Sequence, residues 1–342
     1  MPDALTVLGP VSTAELGLTL IHEHLLFDFM SCLAEPRNSF EQEMASQPVN
    51  STIRGALRFN PCLLADNLLH TDTELAVEEI NAFKAAGGGT VVDPTNSSIG
   101  RNPLALKKIA EATGLNIIMG SGHYYQIALD DAFARRSVED ITAEIIKDVT
   151  VGVADTGVRA GLIGEVGTSS PITASEEKSL RAAARAQAQT RAPLMIHLDG
   201  WKREGNRVLD IIESEGGNLN RTILCHMNPS WFDLDYQSSL AERGAYIEYD
   251  MFGIDHFYPP DRASPGEIPA LESVAKLIDI GYENNLLLSQ DVYLKMMLKK
   301  FGGYGYDHLF TNLPPYIEAA GITGIHLNTL LVENPKQILA FI

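Results

Sequence analysis

The chain has only three cysteines in 342 residues, at positions 32, 62 and 225. That scarcity and scatter exclude a disulfide framework and a zinc–thiolate cluster, and they suit a reducing, cytoplasmic setting. Positive charge is scarce too: 26 Lys and Arg against 44 Asp and Glu leave a net charge of −18. Such a chain is a poor partner for nucleic acid or an anionic membrane. No apolar run approaches the roughly 18 residues of a membrane span. The opening stretch MPDALTVLGPVSTAEL lacks the basic region and apolar core of a signal peptide, and none is expected. Low-complexity segments and sequence repeats are also missing.

What is present is an ordinary globular composition, 45% hydrophobic and 20% charged, enough to bury a large core. Short Val-, Ile- and Leu-rich runs recur at 19–26, 90–95, 116–122, 161–167, 193–199, 222–227, 245–250 and 286–291. Each is followed by a segment of helical periodicity, the pattern of parallel strands covered by helices. Helix signals are legible between them. Acids open a helix after Asp72 that stops at Gly87. Asn102, Pro103 and Gly114 bound a second, and Thr173 with Glu176 forms a capping box ahead of a third. The Asn334–Pro335 pair is expected to start the last helix in the same way. Eight strand–helix units predict an α/β fold, a (β/α)8 TIM barrel occupying 1–342 as one domain. A doubly wound open sheet is the runner-up, but no Gly-rich phosphate fingerprint follows the first strand. Residues 30–70 and 251–268 are too long for plain turns. They follow strands 1 and 7, so in a barrel they lie on the face where active sites sit.

The first strand-like run, TLIHEHLLFDF, places His22, Glu23 and His24 inside apolar sequence. Strand alternation puts His22 and His24 on one face and Glu23 on the other. Alone, such a pair is more often hydrogen-bonded core than a metal site. Yet polar residues also fall at the ends of the other runs: Glu165, His197, His226 and Asp291. Each alone could be a cap or a satisfied core residue. Burying four imidazoles and two carboxylates on one rim, however, costs too much without compensating charge. A divalent metal supplies it. The donor set suits zinc and related borderline ions better than magnesium. Six ligands exceed one tetrahedral site, whereas two metals bridged by a carboxylate would use them all. Such a pair can share a hydroxide and polarise a substrate oxygen, which is machinery for hydrolysis. Glu23 is expected not to be a ligand.

The motifs HEHLL, GEVGTS, IHLDG, CHMNPS and LLSQDVYLKMMLKKFGGYGYDHL, in this order, resemble the phosphotriesterase family of the amidohydrolase superfamily, in particular its phosphotriesterase-related branch. VVDPT and TGLNIIMGSGHYY are shared as well, and the resemblance covers essentially the whole chain. It implies that His22, His24 and Asp291 bind the more buried metal and that His197 and His226 complete the second. Glu165 and a hydroxide would bridge the two. Asp291 would also be the catalytic proton acceptor, returning the proton to the leaving group. The founding organophosphate hydrolases use a carboxylated lysine as the bridge, so Glu165 weakens any direct transfer of that activity. The metals implied are zinc, or else manganese, cobalt or iron. A homodimer is also implied.

The resemblance further implies a small-molecule substrate: an amide, ester, lactone or phosphotriester. N-acetyltaurine, a small anionic amide hydrolysed in that branch, is the lead. Organophosphate triesterase, lactonase and metal-containing binding protein without turnover are the alternatives. An anionic substrate needs a cation near the metals, and Lys202, Arg203, Arg54 and Arg58 are the candidates. Tyr124, Tyr125, Phe252, Phe257 and Tyr258 are candidate pocket walls, and His123 a candidate substrate contact. His256 is left open, and His70, His308 and His326 are read as structural.

Overall fold

A computed structural model describes residues 2–258 and 262–341. Eight parallel strands form one sheet in sequential order, wrapped into a TIM barrel. They are β1 (Leu18–Leu20), β2 (Gly88–Asp93), β3 (Asn116–Ser121), β4 (Leu162–Gly167), β5 (Leu194–His197), β6 (Thr222–Leu224), β7 (Tyr246–Tyr249) and β8 (Leu286–Leu288). The covering helices are α1 (Thr73–Ala85), α2 (Pro103–Thr113), α3 (Val138–Thr150), α4 (Ala174–Thr190), α5 (Gly205–Ser214), α6 (Leu234–Glu242) and α7 (Glu267–Asp279).

Local chemistry sets the helix ends. The Asp72 carboxylate accepts from the first turn of α1. Asn102 caps α2, and Gly114 ends it at φ +71°, a conformation costly for a side chain with a Cβ. Thr173 and Glu176 form the expected capping box of α4. Asn334 departs from expectation. It lies inside helical structure that continues from a π-turn at Thr329–Glu333. Its amide donates instead to the carbonyls of Glu283 and Leu286, tying the last helix to the start of β8.

The core has two parts. Inside the barrel, Ile21, Val92, Ile118, Leu162, Met195 and Leu287 pack with Ala4, Leu16, Ile338 and Leu339, all buried. A larger layer fills the space between strands and helices. The expected runs are longer than the observed strands, chiefly at their C-terminal ends. β1 stops at Leu20 and β8 at Leu288, because beyond these points the backbone turns its side chains inward and bonds to other partners.

The meeting of β1 and β8 depends on Glu23. Its buried carboxylate accepts from the Ser289 hydroxyl (2.9 Å) and from the backbone N–H groups of Gln290 (2.9 Å) and Val292 (2.9 Å). Asp291 N–H donates to His22 O (3.1 Å) and His24 N–H to Val292 O (3.3 Å). Glu23 therefore points away from His22 and His24, as alternation requires, and acts as a clasp between the first and last strands.

Both long connections lie at the C-terminal face. The first is folded on itself, with Phe27–Asp28 pairing antiparallel to Leu69–His70 at its neck. The second carries the pair Phe257–Tyr258 and Arg262–Ala263; residues 259–261 of this expected loop lie outside the described residues. The two connections touch. Arg54 makes a bidentate pair with Asp255 (3.1 and 3.2 Å), and Phe59 stacks on Phe257 at 4.8 Å. Among the described residues no helix is long and apolar enough to cross a membrane.

Removing the clasp leaves two buried backbone N–H groups, those of Gln290 and Val292, without an acceptor, whereas the Ser289 hydroxyl still faces His22 O at 3.0 Å. Glu23→Ala is expected to lower the unfolding free energy by on the order of 2–6 kcal/mol, each stranded group costing about 1–3 kcal/mol. Glu111→Ala, on the exposed face of α2, should cost no more than about 0.5 kcal/mol. Urea denaturation of the metal-free protein measures both, and equal costs would remove Glu23 from this role.

Candidate metal centre

Six side chains from the ends of β1, β4, β5, β6 and β8 meet at the C-terminal mouth of the barrel. Glu165 is at their centre. Its Oε1 lies 3.4 Å from His24 Nε2, and its Oε2 lies 3.6 Å from His22 Nε2, 3.0 Å from His197 Nδ1 and 3.8 Å from His226 Nε2. Asp291 Oδ1 closes the other side, 3.3 Å from His24 Nε2 and 3.8 Å from His22 Nε2. His22, His24, Glu165, His226 and Asp291 are buried; the His197 side chain is the most open of the six, 19% exposed.

The spacing is informative. Two donors each about 2.1 Å from one tetrahedral ion sit about 3.4 Å apart. The contacts of His24 with Glu165 and Asp291 have that separation. His22 fits the same reading: neither of its buried ring nitrogens has a hydrogen-bond partner, a rare state for a buried imidazole. The donor set, four imidazoles and two carboxylates, fits borderline divalent metals.

The backbone supports this convergence at a cost. His226 has φ +60° and Asp291 φ +49°, left-handed conformations that cost a non-glycine residue on the order of 1–3 kcal/mol. Hydrogen bonds hold both in place. Asp250 accepts from the His226 backbone N–H at 2.9 Å, and Asp291 N–H is tied to His22 O.

A second layer lies beneath. Asp250 Oδ1 is 3.1 Å from His226 Nδ1 and its Oδ2 is 3.4 Å from His22 Nδ1. An Nδ1–H of His226 bonded there turns its Nε2 toward the cluster, 2.7 Å from His197 Nδ1, while His22 Nδ1 faces both acids without a hydrogen bond. Glu248 Oε2 is 3.5 Å from His22 Nδ1, and neither of its buried oxygens has a hydrogen-bond partner. Glu248 and Asp250 were not among the sequence candidates. The signal was there: two acids two positions apart on one face of an apolar strand, the pattern already noted for His22 and His24. Thr95 Oγ1, 2.7 Å from His24 Nδ1, fixes the remaining β1 ring.

The electrostatics show what this scaffold does without a cation. Burial lowers the pKa of His24, but the carboxylates of Asp291 and Glu165 outweigh it and raise it to about 9. His226 is likewise opposed by burial, yet Asp250, with Glu165 and Asp291, carries it to about 10. His197 moves the other way, lowered by burial and by the charge on His226. Glu165 is held well below the usual carboxylate range, because the imidazoles of His197, His226 and His24 overcome the effect of burial. Protons thus occupy the place of compensating charge.

Above the cluster opens a cavity of about 400 Å3 that includes His24, Glu165, His197, His226 and Asp291 in its wall. Tyr124 lines it 4.8 Å from the His197 ring, and Tyr125 stacks on the same ring at 5.4 Å. Tyr258 lines it as well. The other sequence candidates lie elsewhere. Phe252 is packed in the core and Phe257 against Phe59. His123 faces Ser97 and Glu144. Arg54 and Arg58 are engaged by Asp255. Arg203 pairs with Asp233 at 2.8 Å, and Lys202 is exposed. None of these lines the cavity. Arg262, which sequence reasoning passed over, does. His256 is buried, its Nε2 2.8 Å from the Tyr293 hydroxyl. His308 pairs with Glu267, and His326 belongs to a helix cap. Among the described residues, a larger groove of about 630 Å3 near Phe310 and Leu327 has Glu318 as its one ionisable lining residue and holds no comparable cluster.

Three comparisons bear on this geometry. The sequence profile described as "Phosphotriesterase family" matches residues 2–339. A phosphotriesterase-related protein of Nematostella vectensis is 36% identical over 99% of this chain and 98% of its own. An N-acetyltaurine hydrolase of Bos taurus is 36% identical over 98% and 97%. Among solved structures, a resiniferatoxin-binding protein from Rhodobacter sphaeroides is 42% identical and superposes with a TM-score of 0.97 over 98% of this chain and 94% of that one.

A metal needs neutral imidazoles, and His24 and His226 are protonated at pH 7 in the metal-free chain. Cation binding must therefore release protons, and affinity must rise with pH through this range. Calorimetric titration of metal-free protein with Zn2+ at pH 7, in buffers of different ionisation enthalpy, is expected to show at least about one proton released per chain. Binding without proton release would place the cation away from these rings.

Proposed function

The chain belongs to the phosphotriesterase family of metal-dependent hydrolases, and from that membership we propose that it hydrolyses a small N-acyl amide, with N-acetyltaurine as the lead substrate, at a two-metal centre. The observation that carries this reading is the convergence of His22, His24, Glu165, His197, His226 and Asp291 at donor spacing. The 36% identity to an N-acetyltaurine hydrolase over nearly the full length supports the substrate class. His22, His24 and Asp291 would hold one ion and His197 with His226 the other, with Glu165 between them. Zinc is the first choice, with manganese, cobalt or iron also suited to this donor set. The unpaired cysteines suit a reducing, cytoplasmic compartment.

The bound ions would polarise the scissile carbonyl and bring the pKa of water near 7. The protein supplies the rest. The Asp291 carboxylate, at the rim and fixed by its backbone bond to His22, accepts the proton of the attacking water. It then delivers that proton to the amine nitrogen as the C–N bond breaks, giving a carboxylic acid and an amine. Tyr124 and Tyr125 pack on the His197 ring and would present apolar surface to the acyl group.

A second reading, a metal-containing binding protein without turnover, is favoured by one finding: the Rhodobacter sphaeroides relative is described by what it binds. Metal-replete protein assayed on N-acetyltaurine, a γ-lactone and an aryl phosphotriester separates the two. Metal-dependent turnover is expected, with the highest kcat/KM on the amide. Saturable binding with no turnover across the panel would favour the second reading, and preference for the lactone or phosphotriester would replace the substrate assignment. Asp291→Asn is expected to lower kcat by about 10²–10⁴-fold, the usual contribution of a positioned acid–base group. A kcat within about twofold of the unaltered protein would remove Asp291 from proton transfer.

A further inference from the structure

Among the described residues lining the cavity, Arg262 is the one Lys or Arg. Its guanidinium is held on two sides. Nη1 donates to Asp199 Oδ1 at 2.9 Å, and Cζ lies 5.2 Å from the centre of the Trp201 ring. Asp199 is itself fixed, accepting from Trp201 N–H at 3.2 Å, and Trp201 packs against Tyr258 at 4.8 Å. Among the described residues the guanidinium donates to nothing else, so its Nε and Nη2 edges remain available. The side chain is 31% exposed, partly desolvated but reachable from the cavity.

A guanidinium set over an aromatic ring, with one nitrogen anchored and the others unpartnered among the described residues, is ordered before any ligand arrives. Planar forks of this kind bind oxyanions through paired charge-assisted hydrogen bonds. The charges nearby favour such a role. Glu165, Asp291 and Asp199 all reach the same cavity and the whole chain carries −18, so away from the metal cluster Arg262 is the cationic side chain that an anionic group can meet in this wall. The receptor is also tied to the metal cluster by sequence. Asp199 follows His197 by two residues, so β5 positions a cluster imidazole and the anchor of the guanidinium together.

We infer that Arg262 determines specificity by binding an oxyanion, a sulfonate or carboxylate, carried on the amine side of the substrate. Asp199 and Trp201 are its positioning residues. This rests on the amidase reading above, and the test separates the two.

The test uses metal-replete protein with N-acetyltaurine and its uncharged counterpart N-propylacetamide, together with calorimetric binding of propane-1-sulfonate, which needs no turnover. Arg262→Ala is expected to raise KM for N-acetyltaurine about 10–100-fold with kcat nearly unchanged, the loss typical of a hydrogen bond to a charged group. Turnover of N-propylacetamide should change less than about twofold, as expected for a substrate lacking the anion. Sulfonate affinity should fall by about the same factor as KM rises, with metal content unchanged. Asp199→Asn, which keeps a hydrogen-bond acceptor but removes the competing negative charge, should tighten sulfonate binding. A purely structural pair would instead weaken it. Unchanged sulfonate affinity in Arg262→Ala, or equal losses on both amides, overturns the inference. Sulfonate binding that depends on Arg262, without hydrolysis of either amide, would retain the receptor and reject the amidase reading.

Discussion

A buried carboxylate that is not a candidate ligand holds the site together. Glu23 accepts one hydroxyl and two backbone N–H groups from the segment after β8, and so joins the two ends of the sheet. His22 and His24 flank it on one side of the seam, and Asp291 lies between two of its donors on the other. The distances among those three side chains are therefore set by the interaction that closes the barrel. Closing the fold and assembling half of the metal centre are one event.

The second constraint is charge. Four imidazoles and four carboxylates, counting Asp250 and Glu248 beneath, are packed together, and all but His197 are buried. In the metal-free chain, His24 and His226 retain protons and Glu165 loses its own, which compensates the cluster internally. Divalent ions would take over that compensation, and the scaffold is arranged for the exchange. Asp250 and Thr95 engage the far ring nitrogens, and left-handed backbone at His226 and Asp291 aims both side chains inward. Strain of that kind at two cluster residues, held by specific hydrogen bonds, is expected where geometry serves function more than stability.

Much of this was legible in the sequence, for physical reasons. Parallel strands covered on both faces leave apolar runs, so a histidine or acid at the end of such a run stands out. That contrast identified the six residues that converge here, and alternation placed Glu23 on the opposite side. Three things were less legible. The clasp role of Glu23 depends on pairing between the first and last strands, which no local pattern reports. Glu248 and Asp250 carry the same alternating signal as His22 and His24, but Glu248 sits inside an aromatic-rich strand and Asp250 at its end, where an acid also reads as a strand terminus. The cations were the hardest. Lys202, Arg203 and Arg54 are near the cluster in sequence or in a neighbouring loop, yet local acids and solvent claim them. Arg262 is 36 residues past His226 and reaches the cavity only because its loop folds back over Trp201. Asn334 illustrates the same limit in the fold: an Asn-Pro pair resembles a cap, but two carbonyls at the base of β8 accept from its amide instead.

The central claim is that these six side chains form one two-metal centre. The most direct measurement is metal stoichiometry by elemental analysis after metal-supplemented purification and removal of loosely bound ions, on the unaltered chain and on Glu165→Ala. Two equivalents per chain are predicted for the former and fewer than two for the latter, because the residue placed between both ions is gone. Well under two equivalents in the unaltered chain, or two equivalents retained without Glu165, would contradict the account.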